Sequence, residues 1–338
     1  MIYHNILIVK LSAIGDVIHA LPVARALKTA FPKCRLTWVV EKPALELVTD
    51  HPYIDEVILF EKSRCRSLPG LVQYLPSFVR DLRERGFDLA LDLQGLLKSG
   101  LIAFLCGAPK RLVYCHAREL SDHLSCKVCG PSQHGHIVEQ YLDVVRALDR
   151  PVTTVDFGIK FSETEIKSTM AILTAHGWRK EPYVALVPGA NWLNKRWPPK
   201  FFGQLAKRLY GQGIYSLITG GPDDGVLAEA IRGAAEVPVF DFTGQTSLKQ
   251  LAYILKKARV TVGGDTGPMH LSVAVGTPTV ALLGPTDTNR NGPYGPGHQA
   301  IVTPRDCAGC WRRKCERQLD CLDAVTVDQV YQAVLDLY

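Results

Sequence analysis

The side chains best placed to do chemistry fall in three turns, each directly after an apolar run. The first reads Lys10-Leu11-Ser12-Ala13-Ile14-Gly15-Asp16, with Asp16 its only carboxylate. A carboxylate at the carboxyl edge of a central strand can act as a general base, or it can simply charge the first turn of a helix. The second turn, Pro188-Gly189-Ala190-Asn191-Trp192-Leu193-Asn194-Lys195-Arg196-Trp197-Pro198, brings two cations to a strand end. Lys195 and Arg196 would meet a diphosphate leaving group there, or form a solvated basic pair beside packed tryptophans. The third is Gly263-Gly264-Asp265-Thr266-Gly267-Pro268-Met269-His270. Its glycines allow close backbone approach, and the helix expected to follow, Leu271–Val275, offers unpaired N–H groups and a positive dipole end to a phosphate. Asp265 repels phosphate, so it suits neutral hydroxyls beside that anion, or else caps the helix. Hydroxyls next to a pyrophosphate describe a nucleotide-sugar.

A parallel α/β framework is what would bring such turns together. Strand-like runs recur at Ile6–Lys10, Arg35–Val40, Glu56–Phe60, Leu89–Asp92 and Arg111–Tyr114, with helix-like segments between them, such as Leu71–Arg85 and Leu96–Leu105. After Pro151–Ser162 the alternation restarts at Tyr183–Val187, Ile214–Thr219, Val237–Phe240, Val260–Val262 and Thr279–Leu283. Two doubly wound units in succession imply a cleft, with ligands at the carboxyl ends of the strands. The expected domains are 1–160, 161–325 and a last helical segment, 326–338, that could pack back on the first half. In the first half, Asp92-Leu93-Gln94-Gly95-Leu96-Leu97-Lys98 closes a strand; Gln94 and Lys98 either face an acceptor or lie on the surface.

Composition narrows the class. The 338 residues are 47% hydrophobic and 21% charged, as in a globular protein with room for two cores. A net charge of +6 fits an anionic substrate or membrane surface but not a nucleic-acid partner, for which no basic stripe interleaved with aromatics is present. No export signal is visible, nor an apolar run of the roughly 18 to 20 residues that a membrane span needs. The first turn lacks the G-x-G-x-x-G spacing of a dinucleotide site. A reducing, cytoplasmic compartment is therefore expected, and with it no disulfide framework among the ten cysteines. Four of these crowd into Cys307-x2-Cys310-x4-Cys315-x5-Cys321, which could wrap a structural metal or remain free or oxidised thiols.

Together the segments resemble the glycosyltransferase family 9 heptosyltransferases, of the heptosyltransferase I-like kind, over nearly the whole chain. The motifs are Lys10-x-Ser12-x-x-Gly15-Asp16, Trp38-Val39-Val40-Glu41, Asp92-x-Gln94-Gly95-Leu96-x-Lys98-Ser99, Lys195-x-Trp197-Pro198, Asp265-Thr266-Gly267-x-x-His270 and Gly284-Pro285-Thr286-Asp287. The resemblance implies a GT-B fold, with two Rossmann-like doubly wound domains facing a central cleft. It implies inverting, metal-independent transfer of L-glycero-D-manno-heptose from ADP-heptose to the Kdo sugar of the lipopolysaccharide inner core, with no cofactor required. By position, Asp16 matches the family's general base and Lys195 its donor-phosphate lysine. Asp265, Thr266, Gly267 and His270 match the donor site, and Asn191 is the one residue able to replace a hydroxyl contact that the family places before Lys195. Ser12, Gly15, Gln94, Lys98 and Arg118 fall on the acceptor side, with Lys62, Arg64 and Arg66 as further cations able to meet an anionic acceptor.

The cysteine cluster is absent from the heptosyltransferase I pattern and resembles that of heptosyltransferase II-type relatives, so a different acceptor is an alternative. A nucleotide-sugar epimerase of the same two-domain form, and a non-catalytic nucleotide- or metal-binding protein, are the rivals from other classes. The resemblance places the protein in the cytoplasm, in transient contact with the inner-membrane surface.

Overall fold

Residues 2–318 and 320–338 are described by the computed structural model, which divides into two units, Met1–Lys160 and Phe161–Tyr338. In the first, short runs form β1 (Asn5–Val9), β2 (Arg35–Val40), β3 (Glu56–Leu59), β4 (Leu89–Asp92), β5 (Lys110–Tyr114) and β6 (Cys126–Val128). They pair in the order β3-β2-β1-β4-β5-β6, every pair parallel. The second unit holds β7 (Tyr183–Val187), β8 (Tyr215–Ile218), β9 (Val239–Asp241), β10 (Val260–Gly264), β11 (Thr279–Leu283) and β12 (Gln299–Val302). Its order, β12-β11-β10-β7-β8-β9, is again all parallel and repeats the first topology. In each sheet the winding direction reverses between the first and fourth strands, β1 and β4 or β7 and β10. Ligands of open α/β sheets bind outside the strand ends at that point.

The cores are conventional for such sheets. β7 and β11 are buried along their whole length, and Leu186, Val262 and Leu282 pack against Phe202, Leu205 and Ile231. Each such fully buried side chain contributes about 1.5–3 kcal/mol. In the first unit, Leu7, Val9, Val39 and Ala90 pack against Tyr74, Phe78 and Leu82 of the helix Leu68–Glu84, and against Ile102 and Ala103 of the helix Leu97–Leu105. The last helix, Val327–Leu337, packs on the helix Pro199–Tyr210 and on β11, placing Val330, Ala333 and Val334 in the second unit's core.

Two strands, β6 and β12, were not expected. Both are short edge strands whose residues are exposed or half-buried, so they lack the long buried apolar run that marks the central strands. Segment 151–162 has neither helix nor strand, and Asp156 fastens it to Arg25 and Tyr53 of the first unit. Among the described residues no helix is long and apolar enough to cross a membrane.

One cysteine expectation is overturned. Cys115 and Cys129 form a disulfide across a Cα–Cα separation of 4.6 Å. β5 and β6 pair directly, which brings the residues just beyond their ends side by side. The other eight cysteines are free.

Candidate active site

In the second unit, the ends of β7 and β10 carry the two turns singled out above, and the structure joins them through one ion pair. Lys195 Nζ lies 2.6 Å from Asp265 Oδ2, and His270 Nε2 lies 2.8 Å from Oδ1. The Asp265 and His270 side chains are almost fully buried, and the Lys195 side chain is 14% exposed. Burial alone would raise the Asp265 carboxyl; His270 and Lys195 outweigh it and hold that carboxyl well below the usual carboxylate range. An ionised Asp265 can only accept, so Nε2–H is the donor from His270.

Local sequence explains how the three meet. Thr266 is extended at the N-cap, and Gly267 and Pro268 open the helix Gly267–Ala274. The helix thus begins four residues earlier than expected, because Pro suits its first turn, and His270 belongs to that turn. Gly264 is required by close approach: a Cβ there would lie 2.1 Å from the Lys195 carbonyl oxygen. Trp197 is buried, and its Nε1–H donates to Val325 O at 2.9 Å, anchoring the lysine turn from below.

Several contributors were not foreseen. Asn194 is buried and donates through Nδ2 to Arg312 O at 2.7 Å, tying the lysine turn to the cysteine-rich loop. Trp192 takes the Lys195 ammonium over its ring at 4.5 Å and the Arg313 guanidinium at 5.3 Å. The buried Thr266 Oγ1 and Thr286 Oγ1 have no hydrogen-bond partner among the described residues. Asn191 is exposed. Thr266 and Asn191 are donor-site expectations from the sequence, and the Gly284-Pro285-Thr286-Asp287 edge loop signals Thr286; Asn194, and Trp192 as a cation partner, carried no such signal.

In the first unit the reversal point carries the other predicted residues. Asp16 is half-buried in the first turn of the helix Ile14–Ala30, and its Oδ2 accepts from Ala13 N–H at 3.3 Å. Gln94, at the end of β4, accepts on Oε1 from Leu11 N–H at 3.1 Å and Ser12 N–H at 3.2 Å. It therefore braces the turn that presents Gly15 and Asp16. Asp92 braces Gln94 in turn, accepting from the N–H groups of Gln94 and Gly95 and from Ser121 Oγ at 2.6 Å. Burial pushes the Asp92 carboxyl up despite these bonds. Lys10, an undistinguished motif residue in sequence, is buried and donates to Leu93 O and Tyr141 Oη. Lys98 is paired with Glu41. Arg118 is exposed, and its N–H donates to Gly95 O at 2.7 Å, so the Arg118 loop is held against the end of β4. Gly95 has φ +65°, and a Cβ there would meet the Tyr114 ring at 2.6 Å.

The model of the family described as Glycosyltransferase family 9 (heptosyltransferase) matches residues 76–319. The chain belongs to this family. Lipopolysaccharide heptosyltransferase 1 of Pseudomonas aeruginosa is 30% identical to it, over 93% of this chain and 88% of that protein. Among solved structures, a glycosyl transferase family 9 protein from Veillonella parvula superposes with a TM-score of 0.87 at 22% identity, covering 100% of this chain and 98% of that one. The heptosyltransferase WaaC of E. coli, solved with ADP-2-deoxy-2-fluoro heptose, gives 0.75 at 24% identity, covering 99% and 100%. This family 9 member therefore has the GT-B fold and is a glycosyltransferase, and the epimerase alternative is not favoured.

Among the described residues no three His, Cys, Asp or Glu side chains group so as to hold a metal ion. Cys321 is buried, and its thiol is pushed up to about 11 by burial and by the neighbouring Cys315, Cys310 and Cys307. The cysteine-rich loop packs on the donor-type turns: Gly309 N–H donates to Gly284 O and Trp311 N–H to Pro285 O.

Proposed function

We propose that this chain transfers L-glycero-D-manno-heptose from ADP-heptose to the Kdo sugar of lipopolysaccharide, with inversion. The observation that carries the reading is the Lys195–Asp265–His270 cluster at the reversal point of the second sheet. The 30% identity to a heptosyltransferase 1 favours the first heptose over a later one.

In this reading, Lys195, the first N–H groups of the helix Gly267–Ala274 and Asn191 bind the donor diphosphate. Thr266 and Gly267 supply the helix end. Asp265 accepts from hydroxyls of the sugar, with His270 keeping the carboxylate oriented. A sugar hydroxyl is a poor nucleophile, so Asp16 takes its proton as the acceptor oxygen bonds to the anomeric carbon. The bond from that carbon to the diphosphate oxygen breaks, and its electron pair leaves with ADP, whose charge Lys195 and the backbone N–H groups meet. A glycoside hydrolase would need a second carboxylate to protonate the leaving oxygen; ADP does not. Ser12, Gly15 and Arg118 lie on the acceptor side, Gln94 positions the Asp16 turn, and Lys98 reaches an acceptor anion only by exchanging Glu41 for it. The work is done in the cytoplasm, with transient contact at the inner face of the membrane where the acceptor lies.

The test is incubation of purified protein with ADP-heptose and Kdo-lipid A, following ADP release and acceptor mass together. Equal ADP release and heptose gain are expected. Donor conversion with no change in the acceptor would overturn the reading.

A further inference from the structure

The helices Leu68–Glu84 and Leu97–Leu105 bury Tyr74, Phe78, Leu82, Ile102 and Ala103 in a single core cluster, so they lie on one face of the first sheet. Their outward sides should then be polar. Instead Leu68 is 78% exposed, Val72 70%, Leu97 43%, Leu101 41% and Phe104 47%. Leu97, Leu101 and Phe104 follow the four-then-three spacing that puts residues on one side of a helix. The two helices are fastened where they end, since Arg83 Nε donates to Leu105 O at 3.0 Å. The two exposed apolar stripes therefore lie on adjacent helices covering the same face of the sheet.

Charge surrounds it. Residues 61–84 hold five cations, Lys62, Arg64, Arg66, Arg80 and Arg83, against three acids, Glu61, Asp81 and Glu84. Arg64 is paired with Glu61 at 3.3 Å, and Arg80 reaches Glu84 only at 3.9 Å. Lys62 and Arg66 are exposed with no side-chain partner among the described residues. On the other side, the Arg111 guanidinium lies 5.2 Å from the Phe104 ring.

We propose that this face docks the protein on an anionic lipid bilayer, with Leu68, Val72, Leu97, Leu101 and Phe104 entering the interface and Lys62, Arg64 and Arg66 meeting lipid phosphates. The chemistry is that of a surface-lying amphipathic element: an apolar stripe for the acyl boundary and a basic rim for the headgroups. A soluble anion would use the rim alone and gives the exposed leucines and phenylalanine no role. The proposal rests on the acceptor being a bilayer lipid, but lipid binding is read here without donor, acceptor or turnover.

The probe is a vesicle of phosphatidylglycerol mixed with phosphatidylcholine, compared with phosphatidylcholine alone, in a co-sedimentation assay with the full chain. The native protein should sediment with the anionic vesicles and be released by salt. Lys62→Ser with Arg66→Ser should weaken binding by about 30-fold, taking about 1 kcal/mol per cation near a charged surface. Leu101→Asp with Phe104→Asp should abolish it while ADP binding, measured in parallel, stays intact. The proposal is overturned if the native protein ignores anionic vesicles, or if the Leu101 and Phe104 variant binds them as well as the native chain. It is equally overturned if sedimentation velocity shows these substitutions splitting a dimer of a chain that does not bind vesicles. A chain that binds ADP and vesicles but transfers no heptose would keep the docking face and defeat the functional reading instead.

Discussion

Lys195 Nζ and Asp265 Oδ2 stand 2.6 Å apart although 70 residues separate them in sequence. The pair closes the turn after β7 onto the turn after β10. Breaking a buried pair from one side leaves the remaining charge uncompensated, which costs about 3–5 kcal/mol. Lys195→Ala and Asp265→Asn should each lower the denaturation midpoint, and the double variant should lose clearly less than the two losses combined. Urea unfolding of the four proteins measures the coupling; simple additivity would mean that the contact carries no stability.

The sign of the pH effect follows from the same carboxylate. Its folded value is depressed, so the stability it contributes is fully present above the unfolded value, about 3.9. That contribution is lost as pH falls through the lower folded value. Stability of the native protein should therefore drop more steeply below about pH 4 than that of Asp265→Asn. Parallel acid-unfolding curves for the two proteins check this, and equal slopes below about pH 4 would remove His270 and Lys195 as the cause of the depressed carboxyl.

Much of this arrangement was legible beforehand, and the reason is physical. The buried parallel strands leave apolar runs such as Tyr183–Val187, and the residues just past their ends are turns with few competing roles. Asp16, Lys195 and Asp265 could thus be picked out by type and position. What could not be read is pairing at a distance: Gln94 on the Leu11 and Ser12 N–H groups, Lys98 on Glu41, and the Cys115–Cys129 bond all depend on which loops the sheet order sets side by side. The helix at Gly267 began earlier than expected because Pro268 and Gly267 read as turn residues when they are in fact its first turn.

Arg313, in the cysteine-rich loop, shares the Trp192 ring with Lys195. Asp265 offsets the lysine charge, so a bound diphosphate would gain from a second cation nearby. Arg313 is exposed, and an exposed charge is worth up to about 1 kcal/mol and is screened by salt. Arg313→Ala should weaken ADP by up to about fivefold at low salt, with AMP less affected and the difference shrinking as salt rises. Calorimetric titration with both nucleotides decides it, and equal losses for ADP and AMP would point to a role in holding Trp192 instead.

The four clustered thiols should differ sharply in reactivity. Cys310 is exposed, whereas Cys321 is buried and its thiol is pushed up to about 11. The thiolate is the reactive form, so Cys321 stays protonated and inert at neutral pH. Brief iodoacetamide treatment at pH 8 followed by peptide mass analysis should show Cys310 labelled well before Cys321. Early labelling of Cys321 would mean the loop opens away from Gly284.

The last prediction separates the base from the group that positions it. Asp16→Asn keeps the shape and the hydrogen-bond acceptor for Ala13 N–H but cannot take a proton. Turnover should fall by roughly 100-fold or more, with ADP affinity unchanged, because general-base catalysis supplies about that much. Gln94→Ala removes the acceptor that holds the Leu11 and Ser12 N–H groups, so the turn loosens while the carboxylate remains. Its turnover should fall less, and Gln94→Glu, which restores an acceptor oxygen, should recover part of the loss; no acceptor-keeping change can rescue Asp16→Asn. Measuring kcat and KM for acceptor across the three variants distinguishes the roles. If Asp16→Asn turned over at the native rate, another group would have to take the proton.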